Sequence, residues 1–157
     1  EGLVAATIDV DAADRAMAKI RECGIESACV NMSGDVLVMG MKEGVPWKIG
    51  IRDPRSKEGA NLAVLSVTNG AVSTSGNYER YFEKDGKRYG HIMDPRTGYP
   101  AEGCLSATVM APVCAVADAL ATAVFVLGPE KGVALIEAME GVKALVVAND
   151  GTILRTR

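Results

Sequence analysis

The chain has 157 residues, of which 48% are hydrophobic, so it can form one domain whose core needs no disulfide or metal to close. Seventeen basic and twenty acidic side chains give a net charge of −3. Neither sign forms a long block, which argues against nucleic acid as a partner. Its four cysteines lack C-x-x-C spacing and it has a single histidine, which argues against a Cys/His zinc site.

The first half of the chain predicts one helix followed by short strands. Residues 11–23 place Ala13, Met17 and Ile20 at helical spacing, and Gly24 follows as a stop signal. β-prone runs come next, each bounded by Gly, Asp, Pro or Asn, at residues 27–32, 35–39, 47–52 and 63–67. We expect these runs to pair with one another as an antiparallel meander.

The second half predicts two hairpins that flank a strand and two helices. The first hairpin covers residues 78–93 and turns at Asp85-Gly86, a dipeptide that tight hairpin turns favour. A strand at residues 104–110 leads into helices at residues 113–127 and 129–139, with Gly128 as the C-cap between them. The last hairpin covers residues 142–148 and 152–154.

These elements also predict the fold class and the domain organisation. The sequence has no internal repeat, low-complexity tract or linker, which indicates a single domain over residues 1–157. Strands outnumber helices and mostly follow one another directly. We therefore expect an α+β fold in which a mostly antiparallel sheet has helices packed on one side.

The predicted helix at residues 113–127 contains only two strongly polar side chains, Asp118 and Thr122. Their spacing of four residues stacks them on one helical face. A carboxylate on an apolar helix is costly unless a cation or several donors satisfy it, and a hard cation such as magnesium takes oxygen ligands. The pair is a candidate metal site. The alternative is that Asp118 caps a neighbouring loop and Thr122 hydrogen-bonds to its own helix.

Two further segments carry polar groups that could contact a ligand. His91 ends the predicted hairpin and precedes the turn-forming run DPRTG, so it would face a loop-built cleft where an imidazole can move protons or contact a phosphate. The run STSGNY at residues 73–78 offers hydroxyl and backbone donors to an anion. Taken alone, each is more typical of a structural feature: the first of a hydrogen-bonded histidine with no catalytic role, and the second of an ordinary loop.

Taken together and in this order, four segments resemble the ApbE family: NMSGDV, PWKIGIRDP, STSGNYERYFEKDGKRYGHIMDPRTGYP and ADALATA. The third is long and specific, and the similarity runs from about Asp14 to the C-terminus. The resemblance implies a T-fold-like architecture, of which this chain corresponds to the C-terminal half. It also implies an FAD:protein FMN transferase, which moves FMN from FAD to a threonine of an acceptor flavoprotein with Mg²⁺ and releases AMP.

The resemblance also implies roles for individual residues. Asp118 and Thr122 would be side-chain ligands of the magnesium ion, and His91 and Asp118 would be the catalytic residues. His91 and Ile92 would lie against the flavin. Thr74 and Ser75 would also contact FAD, in the same cleft and near the phosphates.

The sequence departs from the family's pattern in its first residues. Family members carry a long N-terminal portion, and the segment before Asp14 reads LVAATIDVDAA, with Asp9 at the usual lysine position. A negative charge near a pyrophosphate repels it. The open alternatives are a non-catalytic FAD- or FMN-binding module, an FAD pyrophosphatase with water in place of the acceptor hydroxyl, and a purely structural domain in which Asp118 pairs with a protein cation.

The resemblance further implies partners and a location. If half of a larger cleft is supplied elsewhere, we expect exposed apolar surface and either a homo-oligomer or a complementing N-terminal half. Family members are commonly exported as lipoproteins, so a periplasmic or other extracytoplasmic location is expected on resemblance alone.

Overall fold

The structure, a computed structural model, describes residues 8–56, 58–77 and 81–157, without the side chains of residues 8–10, 87 and 88. Its helices are α1 (Ile8–Glu22), α2 (Cys114–Leu127) and α3 (Pro129–Glu137). Its strands are β1 (Ala28–Met32), β2 (Asp35–Met39), β3 (Trp47–Arg52), β4 (Asn61–Val67), β5 (Gly70–Gly76), β6 (Tyr81–Lys84), β7 (Lys87–Gly90), β8 (Met93–Asp94), β9 (Tyr99–Pro100), β10 (Ser106–Ala111), β11 (Lys143–Val147) and β12 (Ile153–Arg155).

The main sheet has six strands in the order β1-β2-β5-β10-β11-β12, and every neighbouring pair is antiparallel. The three helices pack on the same face of this sheet, with α1 over β1 and β2, α2 over β5 and β10, and α3 over β11 and β12. The expected α+β class, with an antiparallel sheet and helices on one side, is confirmed.

The expected meander is wrong, because β3 and β4 do not join the main sheet. They form a separate hairpin, and β2 pairs with β5 instead. The hairpin has one apolar stripe, through which Ile49 and Val67 pack against Val38 and Val72 on the sheet face away from the helices. Covering that face buries apolar area on the hairpin and on the sheet together, which edge pairing alone would leave exposed.

The interpretation of residues 73–78 as a loop is wrong for residues 73–76. They belong to β5, an interior strand that pairs with β2 on one side and β10 on the other. Glycine and serine lower the strand propensity of GAVSTSG, and burial between two neighbours overrides that preference. Residues 78–80 lie outside the described part of the chain.

Small residues bring α2 close to the sheet. Ala117 and Ala121 of the helix and Ala71 and Ala107 of β5 and β10 are all fully buried in the main core. Alanine side chains on both surfaces shorten the distance between helix and sheet backbones. Polar side chains next to these alanines therefore come within hydrogen-bonding distance across the interface.

The turns that the sequence marks are present. Asp85 and Gly86 have φ of 53° and 73°, as a tight turn between β6 and β7 requires. Gly128, with φ of 84°, ends α2 directly before α3 begins. The apolar run at residues 105–127 is strand, turn and helix as expected. Among the described helices, none combines the length and the apolar character that crossing a membrane takes.

Candidate functional site

The two polar residues of α2 face two serines of β5. The oxygen atoms Oγ of Ser73 and Oδ1 of Asp118 are 3.4 Å apart, and the hydroxyl oxygens of Ser75 and Thr122 are 3.1 Å apart. Two residues of a strand rise by about 6.6 Å and four residues of a helix by about 6 Å. The two spacings match, so each polar residue of α2 meets one serine.

A third element reaches this group from the other side of β5. Ser73 donates a hydrogen bond to Oδ1 of Asp35, which begins β2 directly after the turn at Ser33 and Gly34. Ser73 is 1% exposed and Ser75 is 7% exposed, whereas Asp35, Asp118 and Thr122 are partly exposed. The two serines are the buried members of this group, and Asp35, Asp118 and Thr122 are its partly exposed members.

The N-terminal end of α2 is capped by α1. The side chain of Asp14 accepts hydrogen bonds from the backbone N–H groups of Cys114 and Ala115, at 2.9 Å and 3.0 Å. Val113 at the N-cap position has no side-chain oxygen that could cap the helix. The cap fixes the start of the helix that carries Asp118 and Thr122.

The donors at the site suit a hard cation. Burial, and secondarily the carboxylates of Asp35, Asp14 and Asp118, raise the pKa of the Cys114 thiol to about 12. The thiol is therefore protonated at neutral pH when no metal is bound. The accessible groups are carboxylate and hydroxyl oxygens, the ligands that magnesium prefers.

The site does not amount to a complete protein cage for a metal. Among the described side chains, no group of three or more His, Cys, Asp or Glu residues is arranged to hold an ion. Magnesium is often held by one or two carboxylates and completes its shell with water and substrate phosphates. Asp118 and Thr122 fit that pattern, in which most of the coordination positions are left to the substrate.

The loop that carries His91 is attached to the other end of α2. His91 is exposed and follows β7 directly. Arg96 donates to both carboxylate oxygens of Asp94, at 2.9 Å and 2.7 Å, and its third hydrogen bond reaches the backbone oxygen of Val126 at 3.2 Å. The Arg96 side chain holds the pKa of Asp94 below its usual value. One guanidinium thus joins the His91 loop to the helix of the candidate metal ligands.

The remaining predicted contacts lie in different places. Ser75 is beside Thr122, but Thr74 points to the opposite face of the sheet, where its hydroxyl oxygen is 2.8 Å from that of Thr108. Ile92 is 8% exposed and belongs to the main core. The structure brings Asp118, Thr122 and Ser75 together and leaves Thr74 apart. The assigned roles in cofactor binding stay predictions.

Two residues of the group, Ser73 and Asp35, were not among the predicted site residues. The signal that identifies Ser73 is the two-residue period of a strand, which places it on the same face as Ser75 once residues 70–76 are read as a strand. Asp35 lies in the segment NMSGDV, but no local pattern predicts its contact with Ser73, because the two positions are 38 residues apart.

Comparisons with known proteins identify the family to which this chain belongs. The model of the ApbE family matches residues 10–146. The FAD:protein FMN transferase of Treponema pallidum (strain Nichols) is 42% identical over 148 residues, which cover 88% of this chain and 41% of the relative. That of Escherichia coli (strain K12) is 39% identical over 147 residues, which cover 92% and 42%.

Solved structures give the same result. The ApbE protein of Thermotoga maritima superposes with a TM-score of 0.82 and 41% identity, over 94% of this chain and 48% of the other. The apo form of the Pseudomonas stutzeri flavinyl transferase ApbE superposes with a TM-score of 0.79 and 35% identity, over 96% and 48%. The chain spans less than half the length of these relatives. By sequence and by fold, it belongs to the ApbE family.

Proposed function

We propose that this chain acts in an FAD:protein FMN transferase and that α2 and β5 hold a magnesium ion beside the pyrophosphate of FAD. The observation that carries the proposal is the pairing of Asp118 and Thr122 with Ser73 and Ser75 across 3.4 Å and 3.1 Å. It forms a patch of oxygen donors on a helix that is otherwise apolar. The proposal is supported by relatives named FAD:protein FMN transferase that are about 40% identical over most of this chain.

The proposed reaction breaks the phosphoanhydride bond of FAD and forms a phosphate ester bond to the acceptor threonine. The hydroxyl oxygen of an acceptor threonine bonds to the phosphorus of the FMN part of FAD, and the bond from that phosphorus to the bridging oxygen breaks. AMP leaves with the bridging oxygen. A bound magnesium ion would supply positive charge to the pyrophosphate oxygens.

The chain's own residues would position the reactants and move one proton. Asp118 and Thr122 would hold the ion, with their side chains fixed on the face of α2 that β5 covers. The exposed His91 would accept the proton of the threonine hydroxyl, as an imidazole can near neutral pH. The contact of Arg96 with Val126 would keep the His91 loop at a fixed place relative to α2.

The proposed partners are the acceptor flavoprotein and a chain segment that completes the cleft. Tyr99 is 70% exposed and Phe82 is 60% exposed, with Tyr81 and Met93 also exposed nearby in sequence. Apolar surface of this kind is typical of a site that another chain segment covers. An N-terminal half like that of the relatives, or a second copy, would meet this need, and an extracytoplasmic location is proposed by family resemblance only.

The test of the proposed function is a titration of the purified chain with FAD, with and without magnesium, followed by flavin fluorescence. We expect binding that depends on magnesium and that Asp118→Ala removes while the circular dichroism spectrum is unchanged. Glu130→Ala, which removes an exposed carboxylate from α3, is the matched control. Absence of binding by the parent chain, or unchanged magnesium dependence in Asp118→Ala, would overturn the proposal.

The products then distinguish the related activities. With FAD, magnesium and a threonine peptide from an acceptor flavoprotein, the transferase yields an FMN-modified peptide and AMP. A pyrophosphatase yields free FMN and AMP with unmodified peptide, and a binding module yields neither. Mass spectrometry of the peptide and chromatography of the nucleotides separate the three outcomes.

A further inference from the structure

We propose that Ser73 and Ser75 of β5 and Asp35 of β2 are positioning residues of the magnesium site. Ser73 orients Asp118, Ser75 orients Thr122, and Asp35 acts on Asp118 through Ser73. The inference rests on the proposed function, because it assigns roles around the same metal ligands. It concerns residues that surround the proposed metal ligands, not the ligands themselves.

The hydrogen count at Ser73 sets the first part of the proposal. A serine hydroxyl has one proton to donate, and an ionised carboxylate only accepts. Ser73 lies between two carboxylates, and its distance of 3.4 Å to Asp118 is longer than the usual range of about 2.5–3.0 Å for such a bond. The Ser73 proton therefore points to Asp35, which accepts the hydrogen bond. In this arrangement Ser73 restricts where the Asp118 carboxylate can lie but forms no strong hydrogen bond to it.

Asp35 consequently controls where the Ser73 proton goes. Without the charge of Asp35, the hydroxyl can rotate and donate to Asp118. That bond would draw electron density from the carboxylate and turn an oxygen away from the cation. Asp35 is on β2 and Asp118 is on α2, so the effect passes through one buried side chain of the strand between them.

The hydrogen count at Thr122 sets the second part. A threonine hydroxyl that binds a cation uses a lone pair on its oxygen, so its proton must point elsewhere. The oxygen of Ser75 lies 3.1 Å away and can accept that proton. Ser75 is 7% exposed, so water does not readily take its place. The acceptor at Ser75 fixes the rotation of the Thr122 hydroxyl with its lone pairs toward the accessible side.

The experiment measures Mn²⁺ binding without FAD, by the loss of the free-ion signal in electron paramagnetic resonance. Manganese has the same preference for oxygen ligands as magnesium. We expect Ser73→Ala, Asp35→Asn and Ser75→Ala each to weaken Mn²⁺ binding by about 10- to 100-fold, the range typical of residues that orient metal ligands. Thr108→Val is the matched control, because it also removes a buried hydroxyl from the sheet but on the face away from α2. We expect it to bind Mn²⁺ as the parent does.

A double variant tests whether Asp35 acts through Ser73. If it does, Asp35→Asn has little further effect in the Ser73→Ala background, whereas independent charge effects add. The Ser75→Thr variant keeps the hydroxyl that Ser75→Ala removes. Recovery of Mn²⁺ binding in this variant tests whether that hydroxyl orients Thr122. Thermal melts followed by circular dichroism show that each variant is folded.

The outcomes separate this inference from the proposed function. If the parent binds Mn²⁺ and Asp118→Ala does not, while Ser73→Ala and Ser75→Ala bind as the parent does, the positioning roles are overturned and the metal site stands. Additive losses in the double variant overturn the route from Asp35 through Ser73. If the parent chain binds no Mn²⁺, the metal site and the positioning roles fail together.

Discussion

Asp14 accepts a hydrogen bond of 2.9 Å from the backbone N–H of Cys114, so a residue of α1 caps the helix that carries the candidate metal ligands. The second oxygen of the same carboxylate serves the next N–H group of the helix. A negative charge at the N-terminus of a helix is also favoured by the helix dipole. The orientation of α2 on the sheet therefore depends on a contact between positions 100 residues apart.

We predict that Asp14→Ala destabilises the fold by about 1 kcal/mol more than Asp11→Ala, as expected for the loss of an N-cap. Both changes replace an aspartate of α1 by alanine, so the gain in helix propensity is similar in each. Within the described part of the chain, Asp11 makes only an exposed contact of 3.8 Å with Arg15, from which little stability is expected. Urea unfolding followed by circular dichroism measures the difference. Equal free energies of unfolding in the two variants would show that the cap contributes nothing.

Local patterns predicted most of the elements because their signals lie within a few residues. The Asp85-Gly86 turn needs positive φ at two neighbouring positions, and the helix predicted at residues 113–127 is apolar except for Asp118 and Thr122. Gly128 ends that helix as its C-cap requires. Such features depend on the backbone preferences of the residues themselves, so sequence alone identifies them.

Pairing over long sequence distances could not be predicted in this way. The partner of β2 is β5, because β3 and β4 bury their apolar stripe against the sheet instead of extending it. The strand β5 is rich in serine and glycine, and only its place between β2 and β10 makes it a strand. Because the sequence alone predicts a loop at residues 73–76, it does not show that Ser73 and Ser75 share a face of the sheet. Thr74 between them lies on the other face.

A tight contact at Gly90 fixes the point where the His91 loop begins. A Cβ atom at this position would lie 2.0 Å from Oδ1 of Asn77 and 2.7 Å from its Nδ2. The same Nδ2 donates to the backbone oxygen of Ala101 at 2.9 Å, so Asn77 connects the end of β5 to the far side of that loop. We predict that Gly90→Ala costs about 1–3 kcal/mol, as overpacking of a buried site does.

A double-mutant cycle isolates the steric part of this cost. In the Asn77→Ala background the atoms that a Cβ would meet are gone, so Gly90→Ala should cost at least about 1 kcal/mol less than in the parent chain. Denaturant unfolding of the parent, the two single variants and the double variant gives the coupling energy. A coupling energy near zero would mean that Gly90 and Asn77 do not constrain each other.

The sequence Asp-Pro-Arg occurs twice and adopts the same hydrogen bonds each time. In both copies the arginine donates to both oxygens of the aspartate, at 2.8 Å and 2.8 Å for Arg55 with Asp53 and at 2.9 Å and 2.7 Å for Arg96 with Asp94. Each arginine then reaches a distant backbone oxygen, that of Gly151 or that of Val126. The two turns attach one loop to the β11–β12 turn and the other to α2.

The pKa of Asp53 gives the last prediction. Hydrogen bonds from the Arg55 side chain and backbone lower it from the ordinary 3.8 to about 2. A carboxylate whose pKa is lower in the folded than in the unfolded state contributes stability above pH 3.8, and that contribution is lost as the pH falls through about 2. We predict that Arg55→Ala raises the pKa of Asp53 toward 3.8 and leaves that of Asp94, which Arg96 lowers, unchanged. Carboxyl carbon NMR titration reads both residues in one sample, and an unmoved Asp53 would assign the shift to the backbone N–H of Arg55, not to its guanidinium.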